Sequence, residues 1–348
     1  MSRSEVTRRG LRGTRPDREA ITGGKRGGRR RTGEQPVVPG AEFTSYYGQP
    51  VLNSPTWESP DIPGYLFLGG LAGASSLLAA GADLTARPAL SVITKCGAVT
   101  GGALSIAALV HDLGRPARFL NMLRVFKTTS PMSVGSWLLA GYVPCAGVAA
   151  ASAVTGRARP TGAAATAAAA LAGPAVATYT AALLSDTAVP AWHDGHPEMP
   201  FVFAGSAAAA AGGLGLTAPP EQAAPARVLA GFGVACELAA LERMKRRIGM
   251  VAEPYSSGRA ARYLRASALL SLTGMAGAFA GRRNRLASAL SGTALLVASA
   301  ATRWGVFHAG LASADDPKYV VVPQRERVRR RAQEDPGCCA APDDDRPR

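Results

Sequence analysis

The chain has 348 residues, enough for two or three soluble domains, yet 47% of them are hydrophobic and the mean hydropathy is +0.07, high for a water-soluble protein with 18% charged residues. A net charge of +15 would suit a nucleic-acid binder, but the basic residues fall in the tails and in short gaps between apolar runs, as in membrane proteins, so no nucleic-acid partner is expected. Cys96, Cys145 and Cys236 stand singly in apolar runs and Cys338 and Cys339 adjoin in a polar tail, so neither a disulfide framework nor a CxxC metal pattern is present.

Residues 1–60 read as a disordered Gly/Arg-rich tail, with GKRGGRRR at 24–31 and no apolar stretch of signal-peptide length. Residues 61–310 read as a transmembrane domain and 311–348 as a polar C-terminal tail containing RERVRRR at 325–331. Crossing about 30 Å of hydrocarbon takes roughly 20 apolar residues. Eight segments qualify as candidates, at 62–83, 89–110, 131–154, 163–186, 199–217, 224–242, 264–281 and 286–308. The expected fold is therefore all-α and polytopic. Several spans are poor in Leu and Ile, but strings such as GGLAGASS and AGSAAAAAGG favour close approach of helix backbones.

With an even number of spans both tails lie on the same side, expected to be the cytoplasmic face of the inner membrane. The gap after span two then also faces inward, with Arg115, Arg118, Arg124 and Lys127, as does the basic gap after span six. GRRNR at 281–285 falls on the opposite side, against this orientation.

His111 and Asp112 close the second span. Ionisable groups near membrane depth are costly, so they tend to be paired or to line a polar cavity. Two readings stand on the residues alone. A carboxylate beside an imidazole can pass protons; alternatively Asp112 caps the interface by pairing with Arg115 while the other cations meet lipid phosphates.

The stretch HDLGRPARFLNMLRVFKTTSPMSVGSW (111–137) resembles the signature of the NrfD/PsrC family, integral membrane subunits of polysulfide reductase, nitrite reductase and formate dehydrogenase type complexes. Further resemblance lies in WESPDIPGYLFLGGLAGASSLLAAGADL (57–84), GPAVATYTAALLSDTAVPAWHDGHPEMPFVFAGSAAAAAGG (173–213) and RWGVFHAGLASADDPKYVVVPQRERV (303–328), and its finer features are similar to an actinobacterial branch. The resemblance implies about eight transmembrane helices in two four-helix bundles, without haem. It also implies electron exchange between a menaquinone pool and a ferredoxin-like iron-sulfur subunit, which serves a molybdopterin-type catalytic subunit, formate being the leaning for its substrate. No metal or haem is expected in this chain itself, since its four histidines sit at span ends rather than facing one another inside helices.

Under the same resemblance the quinone site lies in the first bundle, at its partner-facing end. Asp112 is the expected proton acceptor, His111 assists, and Tyr65 and Tyr179 hold the head group. Arg115, Arg118, Arg124 and Lys127 are expected to dock the iron-sulfur subunit. Trp57, Trp137 and Trp192 read as interface anchors, Asp186 and His193 as caps of span four or walls of the same vestibule, and Glu237 as snorkelling toward Arg243 or serving a proton path. Two rival functions remain: a purely structural anchor, and a proton-translocating module, for which a line of ionisable residues through the spans is required.

Overall fold

A computed structural model describes residues 5–7, 10–12, 52, 55, 57, 59–113 and 117–334. Near the N-terminus β1 (Glu5–Thr7) pairs antiparallel with β2 (Gly10–Arg12), a short hairpin inside the segment expected to be unstructured. The rest is helical: α1 (Asp61–Leu84), α2 (Pro88–Asp112), α3 (Ala117–Met122), α4 (Pro131–Thr155), α5 (Arg159–Ser185), α6 (Pro190–His193), α7 (Met199–Gly215), α8 (Ala224–Ile248), α9 (Glu253–Ser256), α10 (Gly258–Ala280), α11 (Arg285–Asp315) and α12 (Lys318–Glu334).

Five helical stretches are long and apolar enough to cross a membrane: α1, α2, α4, α5 and the run Ala224–Ser256 that contains α8 and α9. At about 1.5 Å per residue, the 24 residues of α1 reach about 36 Å. The chain is thus a multi-pass helical membrane protein. Helix α7 is apolar but has 17 residues. Helices α10 and α11 have span length with less apolar content, since α10 begins with Arg259, Arg262 and Arg265 and α11 carries Arg303 in its interior.

Local sequence explains where the helices begin and end. Proline occupies the first turn of α2, α4, α5, α6, α7 and α8, where its missing N–H has no helical partner to lose. Asn284 Oδ1 accepts from Leu286 N at 2.9 Å and Ala287 N at 3.2 Å to open α11, and Gly156 closes α4 with φ +68°.

Helix α1 packs against α2, α5, α7 and α11; α4 lies against α2 and α5; α7 against α8 and α11; α10 against α8 and α11. Lipid tails are as apolar as the helix faces, so close contact and interhelical hydrogen bonds hold the helices together. At the α1–α5 crossing Gly73 faces Gly173, and a Cβ on Gly73 would lie 3.1 Å from Ala177 N and closer still to Gly173 O. Buried hydroxyls tie the helices further. Tyr142 Oη donates to Ala72 O at 2.6 Å, and the hydroxyls of Ser206 and Ser299 meet at 2.8 Å. Such bonds contribute on average about 0.6 kcal/mol each.

Three expectations change. Trp192 is fully buried instead of anchoring at the interface: its Nε1 donates to Val306 O at 2.8 Å and its ring stacks on Trp57 at 5.6 Å. Glu237 is buried and does not reach toward Arg243; it accepts a hydrogen bond from Thr302. The C-terminal segment expected as a tail from 311 contains the end of α11 and all of α12, anchored by Lys318 Nζ to Glu253 Oε2 at 3.0 Å.

Candidate functional site

The starts of α1, α4 and α7 and the ends of α2 and α5 meet at one end of the molecule, tied by contacts between segments distant in sequence. Asp61, in the first turn of α1, meets His111 in the last turn of α2, with Oδ2 and Nδ1 2.7 Å apart. The expected imidazole–carboxylate pair therefore forms with Asp61. Asp112 is the next residue, half-buried at the end of α2, and it is engaged in a contact of its own.

One helical turn after Asp61 comes Tyr65, on the same face of α1. It is buried, and its hydroxyl bonds to that of Tyr179 from α5, the two rings meeting edge to face with centroids 6.4 Å apart. The structure thus brings together the two tyrosines singled out in the sequence. Their pairing depends on Gly135 of α4: a Cβ there would lie 2.7 Å from Tyr179 Cδ2 and 3.2 Å from its Cζ. The bare backbone of α4 makes the space in which the Tyr179 ring lies.

Tyr179 forms one wall of a cavity of about 590 Å³ between the start of α4, the end of α5 and the α6–α7 segment. Pro131, Val134, Ala182 and Pro200 give it an apolar side, while Thr128, Asp186, His193 and His196 supply polar groups. His193 donates from Nδ1 to Ser185 O at 3.1 Å and His196 from Nδ1 to His193 O at 3.1 Å. With Nδ1 carrying the donated proton, each neutral ring has its acceptor lone pair on Nε2. The two rings lie 6.2 Å apart. A second cleft of about 390 Å³ runs between α6 and α12, with His193 on its wall as well and Arg327 and Arg331 opposite.

An ion cluster of one carboxylate and two guanidinium groups stands beside the cavity. Glu198, directly before α7, is almost fully buried and holds Arg247 of α8 through Nε at 2.8 Å and Nη2 at 2.7 Å, with Arg243 at 3.7 Å. The Arg247 guanidinium, and beyond it Arg243, hold the Glu198 carboxyl below the usual carboxylate range. The bond joins the foot of α7 to the last turn of α8.

Of the expected docking residues, Arg124 and Lys127 are exposed in the segment between α3 and α4, next to Val125 and Phe126, whose ring meets Trp137 edge to face at 6.2 Å. Arg115 lies outside the described residues, and Arg118 sits on α3 with only its backbone described. Sequence reasoning missed Asp61 and His196 and weighted His193 toward a capping role. The signal available was the run WHDGHPE, whose two histidines are three residues apart between short helices.

Fold and site together define a polytopic helical membrane protein with a half-polar cavity at one end of its spans. Residues 52–218, from just before α1 to just after α7, match the family described as Polysulphide reductase, NrfD. That segment contains every residue of the cavity. No curated protein matches the chain.

Proposed function

We propose that this chain is the membrane subunit of a respiratory oxidoreductase complex and carries its quinone site, exchanging electrons between menaquinol and an iron-sulfur partner. The observation that carries the reading is the cavity beside Tyr179. Its volume of about 590 Å³ lies within the span typical of small-molecule sites, and its apolar side, faced by the polar groups of Thr128, Tyr179, Asp186, His193 and His196, suits a quinone head. The match to the NrfD family over the same residues supports it.

A bound quinol supplies two electrons and two protons. Tyr179 donates a hydrogen bond to a head-group oxygen, its own orientation fixed by Tyr65 and by the Gly135 backbone. His193 and His196 accept protons at Nε2 while their Nδ1 bonds hold the rings in place. Asp186 on the cavity wall and the Asp61–His111 pair toward the surface, with Asp112 beside it, carry protons outward. Helices α1, α2, α4 and α5 form one four-helix bundle and α7, α8, α10 and α11 a second, so that α7, α10 and α11 cross the membrane with the five more apolar segments; the pairwise helix contacts support this grouping.

The iron-sulfur partner, itself serving a molybdopterin-type catalytic subunit of polysulfide reductase or formate dehydrogenase type, docks on the exposed Arg124–Lys127 segment with Arg115 and Arg118 adjoining. Cations beside exposed Val125 and Phe126 suit an acidic surface with an apolar centre. The complex is placed in the inner membrane with the chain's termini in the cytoplasm.

The test is equilibrium binding of a menaquinol analogue to the purified chain in lipid nanodiscs. Tyr179→Phe removes one hydrogen bond, worth about 0.5–1.5 kcal/mol, and is expected to weaken binding roughly two- to tenfold. Unsaturable binding to the folded wild-type chain favours the structural-anchor reading.

A further inference from the structure

A second polar cluster lies between α7, α8, α10 and α11, about one to two turns along α7 from Pro200 of the cavity wall. Glu237 of α8 lies within the apolar part of its helix, about 8 Å before Glu242, where the charged last turns begin, and about 20 Å from the N-terminal end. It is 2% exposed, and Arg303 of α11 is fully buried next to it. Such groups are rare at this depth, because an uncompensated charge there is costly.

Their hydrogen bonds are incomplete in a complementary way. Glu237 Oε1 accepts from Thr302, whose hydroxyl also meets Ser267 Oγ at 2.6 Å, while Oε2 has no partner. The Arg303 guanidinium donates from Nη2 to Phe203 O at 2.8 Å and lies 3.7 Å over the Phe203 ring, leaving Nε and Nη1 without partners. One acceptor and two donors thus remain in the same buried site, the pattern that ordered water satisfies. The groups facing the carboxylate are the hydroxyls of Ser206 on α7, Ser267 on α10 and Thr302 on α11, together with Arg303, and its sequence neighbour Cys236 feels its charge; α1 brings the Gly70 backbone beside the guanidinium. Among the described residues Arg303 is the one charged group in that shell.

We propose that Glu237 is a proton-binding site in the membrane interior, coupled to Arg303 through bound water and exchanging its proton with the medium. The ionised carboxylate is balanced by the guanidinium across the water. On protonation Oε2 becomes a donor to the same water, and the guanidinium keeps its carbonyl and ring contacts. The ligand is a proton taken from hydronium or water and returned to it, so no other reactant is required. The hydroxyls of Ser206, Ser267 and Thr302 can both donate and accept, so they follow the carboxyl between its two states. The site does not depend on the quinone reading, since none of its residues lines the cavity, although both draw on α7.

Infrared difference spectroscopy of the full chain in nanodiscs, titrated between about pH 5 and about pH 9, tests this through the carbonyl stretch of protonated carboxyl groups. In wild type a band present at the acid end is expected to vanish as pH rises. Glu237→Gln, which keeps the shape and the Thr302 bond, should delete that band. Glu237→Asp should retain a pH-dependent band at a changed frequency, which keeps the assignment secure if the Gln variant folds poorly. Arg303→Met should make the band persist to a proton concentration at least about tenfold lower, because the cation no longer favours the ionised form. The proposal is overturned if wild-type and Glu237→Gln spectra superimpose, or if the Glu237 band does not change across the range.

Discussion

Replacing Arg247 by Ala tests whether the ion cluster at the foot of α7 holds the second helix group to the cavity. Glu198 has a side chain 5% exposed and receives Arg247 Nε at 2.8 Å and 3.0 Å and Nη2 at 2.7 Å; Arg247 itself is 40% exposed. Breaking a wholly buried pair costs about 3–5 kcal/mol, because a charge is left behind without a partner. Here water reaches the arginine side and Arg243, 3.7 Å away and 80% exposed, can move in. The expected loss is therefore smaller, about 2 kcal/mol, against less than about 1 kcal/mol for Arg243→Ala, whose pair is largely solvated.

Reversible unfolding in mixed micelles, monitored by helix content, gives both values. The pH dependence supplies a second check. The Glu198 carboxyl is held below its ordinary range by Arg247, so its contribution to stability is fully present above the unfolded value, about 4.3, and is lost as pH falls through the lower folded value. The gap between wild type and Arg247→Ala should thus be constant near neutrality and close in acid below about pH 4. Equal effects of the two arginine substitutions, or a gap that widens in acid, would refute the reasoning.

Gly135→Ala should displace the Tyr179 ring, whose Cδ2 lies 2.7 Å from the added Cβ, and lower affinity for a menaquinol analogue by about tenfold, the effect of roughly 1.4 kcal/mol. Gly141→Ala on the same helix meets nothing within 4 Å and should bind as wild type, which makes it the matched control in the same nanodisc assay. Gly73→Val should separate α1 from α5 and cost about 1–3 kcal/mol or more by overpacking, seen as a lower unfolding midpoint in micelles. Lys318→Ala removes a solvated ion pair with Glu253 and should change global stability by less than about 1 kcal/mol, while cleavage by added protease within 318–334 becomes faster.

The positions of the helices were largely legible, because a span imposes a length of apolar sequence that tertiary contacts need not supply. Each of the eight apolar segments lies on one of the long helices, with boundaries shifted by a few residues where Pro or Gly sets the end. Rotation about the helix axis was not legible. In a soluble protein polarity marks the buried face, but here Ala and Gly cover all sides, and nothing in the run GVACELAALERMK says that Glu237 faces inward. Arg303 was hidden for the same reason, lying near a span end in sequence and fully buried in space.

The site was legible in part. Tyr65 and Tyr179 stood out as polar groups in apolar runs, but their hydroxyl contact joins residues 114 apart and depends on a glycine in a third helix. His111 was paired with its sequence neighbour, whereas adjacent helical residues point about 100° apart and the partner is Asp61, 50 residues upstream. Trp192 read as a belt residue because its flanks resemble a span end, while α6 folds it back under α11. Helix α12 was obscured by Pro323 and by its dense charge, both of which weaken the helical signal.

The central claim is that a quinone binds beside Tyr179, and the most direct measurement is photolabelling of the chain in nanodiscs with a photoreactive menaquinone analogue, followed by mass spectrometry of the peptides. The account predicts labelling confined to the segments around 128–134, 179–186 and 193–200, abolished by excess menaquinone. Label distributed over the lipid-facing helices, or a competed label on α8, α10 or α11, would contradict it.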